Sequence, residues 1–437
     1  MMLHFSAPRQ SILLVFLSLA VLTCSTPAAT EDPVSTLDTV GDTAGDTTVS
    51  DTVTPTAGLP AAKELYDPLG VHTVAIELPA ADLQAILADA KDVQRDRVFH
   101  AVSVTFDGEK FENVGARVFG DGSMQTNPKK PNVRIKFNQF TQGFDGPENV
   151  HNLRLKASGA DPTFLREPLF YHLLNESGAT APRFSFARVT INGESYGLYQ
   201  IIEHADGRMF KHAFGNETGN DYEAINACVG LVCPTADCST LQQSFQVEKG
   251  DFSDLRALAL AMKTTPDAQL EATISQYADL DALLAVYAAE GIAADYDGVS
   301  ASGTNFEVYN DEATGKLHVI RGGADGTFYV KYALFQPWGA PNVWCGDREE
   351  EFFKRMLAVP SLKAKLEAKY REMHCGVFDR LTVLAWLEQY AAPLKAEIAN
   401  DTKTIIPASD MDGHLYQLKN WIVERDLELK QVFGTCP

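Results

Sequence analysis

Residues 72–78 (HTVAIEL) alternate apolar and polar side chains, the period of a half-buried strand, and residues 79–91 then read as a helix. Residues 101–106 (AVSVTF) and 113–119 (NVGARVF) predict a hairpin turning around Asp107-Gly108. A loop, Gly120-Asp121-Gly122-Ser123, leads to two more strands at 132–137 (NVRIKF) and 152–156 (NLRLK). A helix follows from near Asp161, a good N-cap residue, with Pro162 suited to the first helical position. Leu165, Leu169 and Leu173 share its inward face, while Pro168 predicts a delayed or kinked start. Residues 184–191 (FSFARVTI) and 196–202 (YGLYQII) pair across Asn192-Gly193 as a second hairpin.

Beyond Asp206 the pattern becomes largely helical. Leu280, Leu283, Leu284 and Tyr287 mark a core helix that runs straight into Asp295-Tyr296-Asp297-Gly298. Two short strands, 306–309 and 317–320, precede Ala324-Asp325-Gly326, and residues from 350 onward read mainly as helices. No internal repeat is visible. The expected fold class is α+β: a mixed or antiparallel sheet with one helix over 63–204, then a mainly helical part over 205–437 that carries the two Asp-Gly loops.

The N-terminal residues change the picture of where this chain works. Residues 12–22 (ILLVFLSLAVL) form an apolar run of signal-sequence length, short of the roughly 20 residues a spanning helix needs. The run ends at Thr23-Cys24-Ser25, so residues 1–24 read as an export signal. Cys24 leaves two outcomes open, a lipoprotein anchor or plain secretion. Residues 25–62 are rich in Thr, Asp and Pro and lack aromatic side chains, so they are read as a disordered tether. The expected location is therefore the cell surface, as an outer-membrane lipoprotein, or the medium. Membrane contact is expected only through an N-terminal lipid.

A formal net charge of −21 disfavours nucleic acid and anionic lipid as partners. Beyond Cys24 lie Cys228, Cys233, Cys238, Cys345, Cys375 and Cys436, an even set that suggests disulfides in an exported chain. Six cysteines allow 15 pairings, and the spacing does not choose among them. A metal in the 228–238 stretch is the less favoured reading, because no histidine stands near it.

Phosphoryl transfer needs a cation and a metal on the phosphates, a carboxylate near the attacking hydroxyl, and a loop over the phosphates. Strands, a glycine-containing loop, strands, one helix and a hairpin are the order of a kinase N-lobe, and each chemical part has a candidate in that order. Asp297, after the core helix, is the candidate catalytic base. Asn305 and Asp325 are the candidate ligands of Mg²⁺ or Mn²⁺, being hard oxygen donors. Lys156, at the end of its strand, is preferred over Lys136 as the phosphate-binding lysine, with Glu167 as its ion-pair partner. Gly120, Gly122 and Ser123 would cover the phosphates, and Glu203 with His204 would lie beside adenine. Singly, Asp297-Gly298 and Asp325-Gly326 are better read as plain turns. Ordered around a strand pair, they point to a site.

These residues resemble the spore coat protein H (CotH) kinase family. The likeness is carried by NVGARVFGDGS with KKPNVRIKF (113–137), DPTFLREPLFYHLL (161–174), RVTINGESYGLYQIIEH (188–204), YDGVSASGTNFEVYNDEATGKLHVI with ADGTF (296–328) and VPSLKAKLEAKYREM (359–373). The resemblance implies an atypical two-lobe kinase fold, an exported location, and ATP-dependent phosphorylation of Ser or Thr in protein partners. It implies Asp297 as catalytic and Asn305 and Asp325 as metal ligands, and it sets Lys130 and Lys136 on basic positions of the strand after the loop. Where the family often has Pro-Trp before the metal aspartate, this chain has Arg321-Gly322-Gly323-Ala324. The alternative expectation is a non-catalytic surface or coat protein that retains the fold. A carbohydrate hydrolase is disfavoured, since no carboxylate pair stands in an aromatic sugar-binding context.

Overall fold

The computed structural model describes residues 64–92, 97–120, 127–225, 231, 233, 238, 241–329, 351–404 and 408–436. Cys24, Gly122, Ser123, Cys228 and Cys345 lie outside the described residues, as does the export and tether region. The described residues all belong to one unit, residues 61–437.

The chain is a mixed α+β protein. Its first part runs β1 (Val71–Glu77), α1 (Ala80–Asp89), β2 (His100–Phe106), β3 (Glu109–Val118), β4 (Val133–Lys136), β5 (Asn152–Lys156), α2 (Arg166–Glu176), β6 (Phe184–Ile191) and β7 (Glu194–Ile202). The turn residues explain the two hairpins. Asp107 and Gly108 have φ of 44° and 93°, and Asn192 and Gly193 have 50° and 77°, the paired positive values of the tight turn that matches strand twist.

The strands close into a barrel in the order β1-β2-β3-β4-β5-β7-β6. Closure was not expected from sequence; it comes from the parallel pairing of β1 with β6, from Val71↔Phe186 to Ile76↔Ile191. Alternation then sorts the side chains. Val74, Ile76, Val104, Val114, Ala116, Val133, Ile135, Leu153, Leu155, Tyr199 and Ile201 fill the inside. The intervening residues of β3, β4 and β5, namely Arg117, Arg134, Lys136, Arg154 and Lys156, therefore point outward.

The helix after β5 starts later than Asp161 suggested. The N-cap is Leu165, not Asp161, although the Asp161 carboxylate accepts from Arg166 N at 2.8 Å and from Thr163 N at 3.0 Å. Pro168 falls in the first turn of α2, where an amide has no helical acceptor to lose.

The second part runs α3 (Gly207–Phe214), β8 (Asp221–Ala224), α4 (Leu241–Ser244), β9 (Phe245–Lys249), α5 (Ser253–Thr264), α6 (Asp267–Tyr277), α7 (Leu280–Ala293), α8 (Val299–Ser302), β10 (Phe306–Asp311) and β11 (Lys316–Arg321). Helices α9 (Glu351–Ala358), α10 (Pro360–Cys375), α11 (Arg380–Ala399) and α12 (Met411–Phe433) complete it. It is less purely helical than expected, because β8 and β9 join the predicted hairpin in a sheet ordered β11-β10-β8-β9. Helix α7 is buried almost all round, and its leucines and alanines pack against α2, α10 and β11. Two disulfides lie among the described residues, Cys233–Cys238 and Cys375–Cys436. The first pairing takes up two of the cysteines for which a metal had been the alternative. Among the described residues no helix is long and apolar enough to cross a membrane.

Candidate functional site

The outward position of Lys156 on β5 aims it at α2. Its Nζ lies 2.6 Å from Glu167 Oε2 and 3.7 Å from Asp325 Oδ1. Both partners of the inner pair are buried, with side-chain exposures of 9% and 3%. The other Glu167 oxygen accepts from Tyr171 Oη at 2.7 Å and from Ala324 N at 3.0 Å. Glu167 thus joins strand, helix and the 324–328 turn in one hydrogen-bonded knot. Burial would lower the Lys156 ammonium, but Asp325 and Glu167 outweigh it and hold its pKa above the ordinary lysine value.

Helix α7 ends at Ala294, left-handed at φ 51°, and the chain turns into the Asp295–Gly298 loop. There Asp297 accepts two side-chain hydrogen bonds: Asn305 Nδ2 donates to its Oδ2 at 2.9 Å and Ser302 Oγ to its Oδ1 at 3.2 Å. Asn305 Nδ2 also reaches the Asp297 carbonyl at 2.8 Å. Burial first, then the neighbouring Asp295 and Asp325 carboxylates, push Asp297 up to about 6, against the Asn305 hydrogen bond and Arg321.

The loop is held by a buried cation that the sequence did not single out as one. Arg321, at the end of β11, is fully buried. Its NH2 donates to Asp295 Oδ2 at 2.6 Å, and its Nε lies 2.7 Å from Glu290 Oε1, an ion-pair contact rather than an aligned hydrogen bond. Its NH1 donates to the Asn305 carbonyl. Glu290 in turn accepts from Val299 N and Ser300 N, both at 2.8 Å, so both ends of the Asp297 loop are tied to α7. Residue type alone hides such a role, because a buried arginine is rare and its partners are far apart in sequence. The one cue was its place in the Arg321-Gly322-Gly323-Ala324 segment.

Sites that hold Mg²⁺ or Mn²⁺ need hard oxygens left open. Asn305 uses its amide nitrogen on Asp297, which leaves Oδ1 for another partner. Gly323, left-handed at φ 45°, passes beside that oxygen, and a Cβ there would sit 2.9 Å from it. Asp325 is 22% exposed. The donor set therefore fits a hard divalent cation.

Of the expected site residues, Lys156, Glu167 and Asp325 are in contact, and Asp297 and Asn305 are in contact, with the two aspartates within Coulombic reach. The remaining residues lie in other contacts. Lys136 stands 6.0 Å from the Phe99 ring centroid, opposite Gly115 and Asn152 rather than beside α2. Lys130 is buried against Asp401 Oδ2 at 2.5 Å and the Leu198 carbonyl at 2.6 Å, a staple between barrel and helices. Glu203 is engaged by Arg183, at 2.9 Å from Nε and 2.5 Å from NH2. Gly120 is left-handed at φ 81° and its carbonyl accepts from Arg97 at 2.6 Å.

Sequence comparison identifies relatives of this chain. The profile of a family described as CotH kinase protein matches residues 116–429. Inner spore coat protein H of Bacillus subtilis is 24% identical over 285 residues, covering 61% of this chain and 70% of that protein. Invasin CotH3 of Rhizopus delemar is 24% identical over 259 residues, covering 56% of this chain and 42% of that protein. Invasin CotH7 of the same fungus is 24% identical over 239 residues, and the chain spans 40% of its length. The family match covers well over half of the chain, which therefore belongs to the CotH kinase protein family.

Proposed function

We propose that this CotH-family protein is an exported phosphotransferase that moves the γ-phosphoryl group of ATP to Ser or Thr hydroxyls of protein substrates. The observation that carries the reading is the meeting of Lys156, Glu167 and Asp325 beside a second cluster of Asp297 and Asn305. A β strand, a helix and two loops from separate stretches of chain converge there, with the Lys156 ammonium 3.7 Å from the partly exposed Asp325 carboxylate. The barrel with α2, and the part beyond Asp206, would act as the two lobes around it.

The roles follow from charge and position. Lys156, kept protonated by Glu167, binds phosphate oxygens as a point charge. Asp325 and the Asn305 carbonyl oxygen hold Mg²⁺ or Mn²⁺, which supplies charge neutralisation at the phosphates. Asp297 orients the acceptor hydroxyl and takes its proton as the oxygen–phosphorus bond forms and the bond to the ADP oxygen breaks. A carboxylate at about 6 is a better proton acceptor than an ordinary aspartate and is still ionised at neutral pH. Arg321 fixes the loop without touching the reaction.

A non-catalytic coat or surface role is the second reading. It is favoured by the Arg321-Gly322-Gly323-Ala324 segment, which offers adenine no aromatic face. The names of the relatives, a spore coat protein and invasins, fit surface exposure under either reading. Thermal shift of the full chain with ATP and Mg²⁺ or Mn²⁺, wild type beside Asp325→Ala, separates the two. A ligand at a hundredfold its Kd stabilises the folded state by about 2.7 kcal/mol. A metal-dependent shift that the variant loses supports the kinase, and a folded wild type without any shift overturns it.

A further inference from the structure

Away from the proposed nucleotide cleft, the Cys375–Cys436 disulfide stands beside a histidine that the phosphoryl-transfer scheme does not use. Cys375 is the last residue of α10 and is exposed. Cys436 is half-buried and follows α12 through Gly434-Thr435. His374 is buried, at 1% exposure, and its Nδ1 lies 3.9 Å from Cys436 Sγ. Its Nε2 lies 3.0 Å from Asp426 Oδ1.

Asp426 is held as an anion. Burial would raise its carboxyl, but hydrogen bonds from Lys430, at 2.7 Å, and from His374 keep it below the ordinary carboxylate range. Arg380 of α11 lies 3.9 Å from the oxygen that Lys430 contacts. An ionised carboxylate only accepts hydrogen bonds, so His374 Nε2 carries a proton and Nδ1 is the nitrogen turned to sulfur. A carboxylate, an imidazole and a sulfur thus touch in succession, from α12, from α10 and from the residues after α12.

The two sulfurs are not equivalent. A thiolate opens a disulfide by attacking one sulfur and expelling the other, faster where the first is accessible and the second is stable as an anion. Cys375 is accessible but ends α10, where the last helical carbonyls disfavour negative charge. Cys436 is the better leaving sulfur, because a protonated His374 sets an N–H against it. The Cys233–Cys238 bridge is buried, at 1% and 4% exposure, and offers no comparable access.

We propose that Cys375–Cys436 is a thiol-exchange site that captures a small thiol on Cys375. The incoming thiolate sulfur bonds to Cys375 Sγ and the Cys375–Cys436 bond breaks. Its electron pair leaves on Cys436, which takes the Nδ1 proton of His374. One disulfide replaces another, so no further oxidant or reductant is consumed. Trp421, Ile422 and Leu429 still pack α12 into the core, so the opened form stays folded.

The test treats the full chain, its free thiols first blocked with iodoacetamide, with mercaptoethanesulfonate from mildly acidic to mildly alkaline pH. Early samples are quenched in acid, labelled with N-ethylmaleimide and mapped by peptide mass. Wild type is expected to carry the probe on Cys375 and the label on Cys436, with Cys233–Cys238 still closed. His374→Gln should slow opening by roughly tenfold or more. Divided by the thiolate fraction of the probe, the wild-type rate should fall as pH rises and the ring loses its proton, and the His374→Gln rate should be flat. Asp426→Asn keeps a hydrogen-bond acceptor and removes the charge, so its fall should come at lower pH, a displacement that a merely structural role would not produce. Should His374→Gln fail to fold, Asp426→Asn decides alone. Probe on Cys436, equal opening of the two bridges, or an unchanged rate profile in the folded variants would each overturn the assignment. Asp325→Ala should exchange at the wild-type rate, so failure of this proposal is distinguishable from failure of the phosphotransferase reading.

Discussion

Asn305 donates one amide nitrogen to both the carboxylate and the carbonyl of Asp297, at 2.9 and 2.8 Å, so the two residues are locked as one unit. The lock predicts different outcomes for two substitutions. Asn305→Asp sets a second carboxylate against Asp297 and should move the acidic limb of the pH–rate profile upward by a unit or more. Asn305→Ala frees Asp297 and should cut kcat by roughly 100-fold, as loss of a preorganised hydrogen-bond donor does elsewhere. Since residue 305 is left-handed at φ 56°, alanine also carries a strain of about 1 kcal/mol, so a matched stability measurement is needed to read the rate.

The position of Asp297 also ties pH to stability. Its folded pKa of about 6 lies above the unfolded value, so the protonated form is favoured on folding. The stabilisation is fully present below about pH 4 and is lost as pH rises through 6. About two pKa units correspond to at most about 3 kcal/mol in this partly buried group. Without metal, Asp297→Asn should therefore be more stable than wild type at pH 7.5, with the gain fading toward pH 4. Activity moves oppositely: wild-type kcat/KM should rise through pH 6, and the variant should be inactive throughout. A Tm series across pH checks the first half, and an Asp297→Asn protein less stable than wild type at pH 7.5 would refute it.

Lys156 and Glu167 give a third expectation. Removing one member of a buried pair costs about 3–5 kcal/mol, because the remaining charge is stranded. Lys156→Ala should lower the urea midpoint accordingly, and Glu167 would keep only Tyr171 and Ala324 N as partners. The double variant Lys156→Met with Glu167→Leu should recover much of the stability and none of the ATP turnover. Recovery of turnover would show that the pair is architectural.

What the sequence made legible was local. Asp107-Gly108 and Asn192-Gly193 announce their turns because only a few residues accept positive φ there. The spacing of Asp297, Asn305 and Asp325 around a strand pair was readable because β10 and β11 are neighbours in sequence. Closure of the barrel was not, since β1 meets β6 across more than a hundred residues and neither strand differs from one in an open sheet. Strand β8 (DYEA) was hidden by its acidity, which ordinarily marks a loop. Lys130 read only as one of the basic positions of the strand after the loop. Its burial against Asp401 depends on a loop 271 positions away.

The Cys375–Cys436 disulfide supplies a last measurable case. It joins the end of α10 to the residues after α12 across 61 positions. In the chain-entropy account a loop of that length restricts the unfolded state by about 4 kcal/mol. The same helix is also held by packing, through Leu415, Leu418, Trp421, Ile422 and Leu429, and by His374 Nε2 at 3.0 Å from Asp426. Those contacts remain when the bridge is absent. Cys375→Ser with Cys436→Ser should therefore lose about 4 kcal/mol in urea unfolding while the folded protein keeps its nucleotide affinity at 25 °C. A loss below 1 kcal/mol would place the docking of α12 in its apolar face alone. Loss of nucleotide affinity in a still-folded protein would show instead that α12 braces α7, where Arg425 Nε donates to the Ile292 carbonyl at 3.0 Å just ahead of the Asp297 loop.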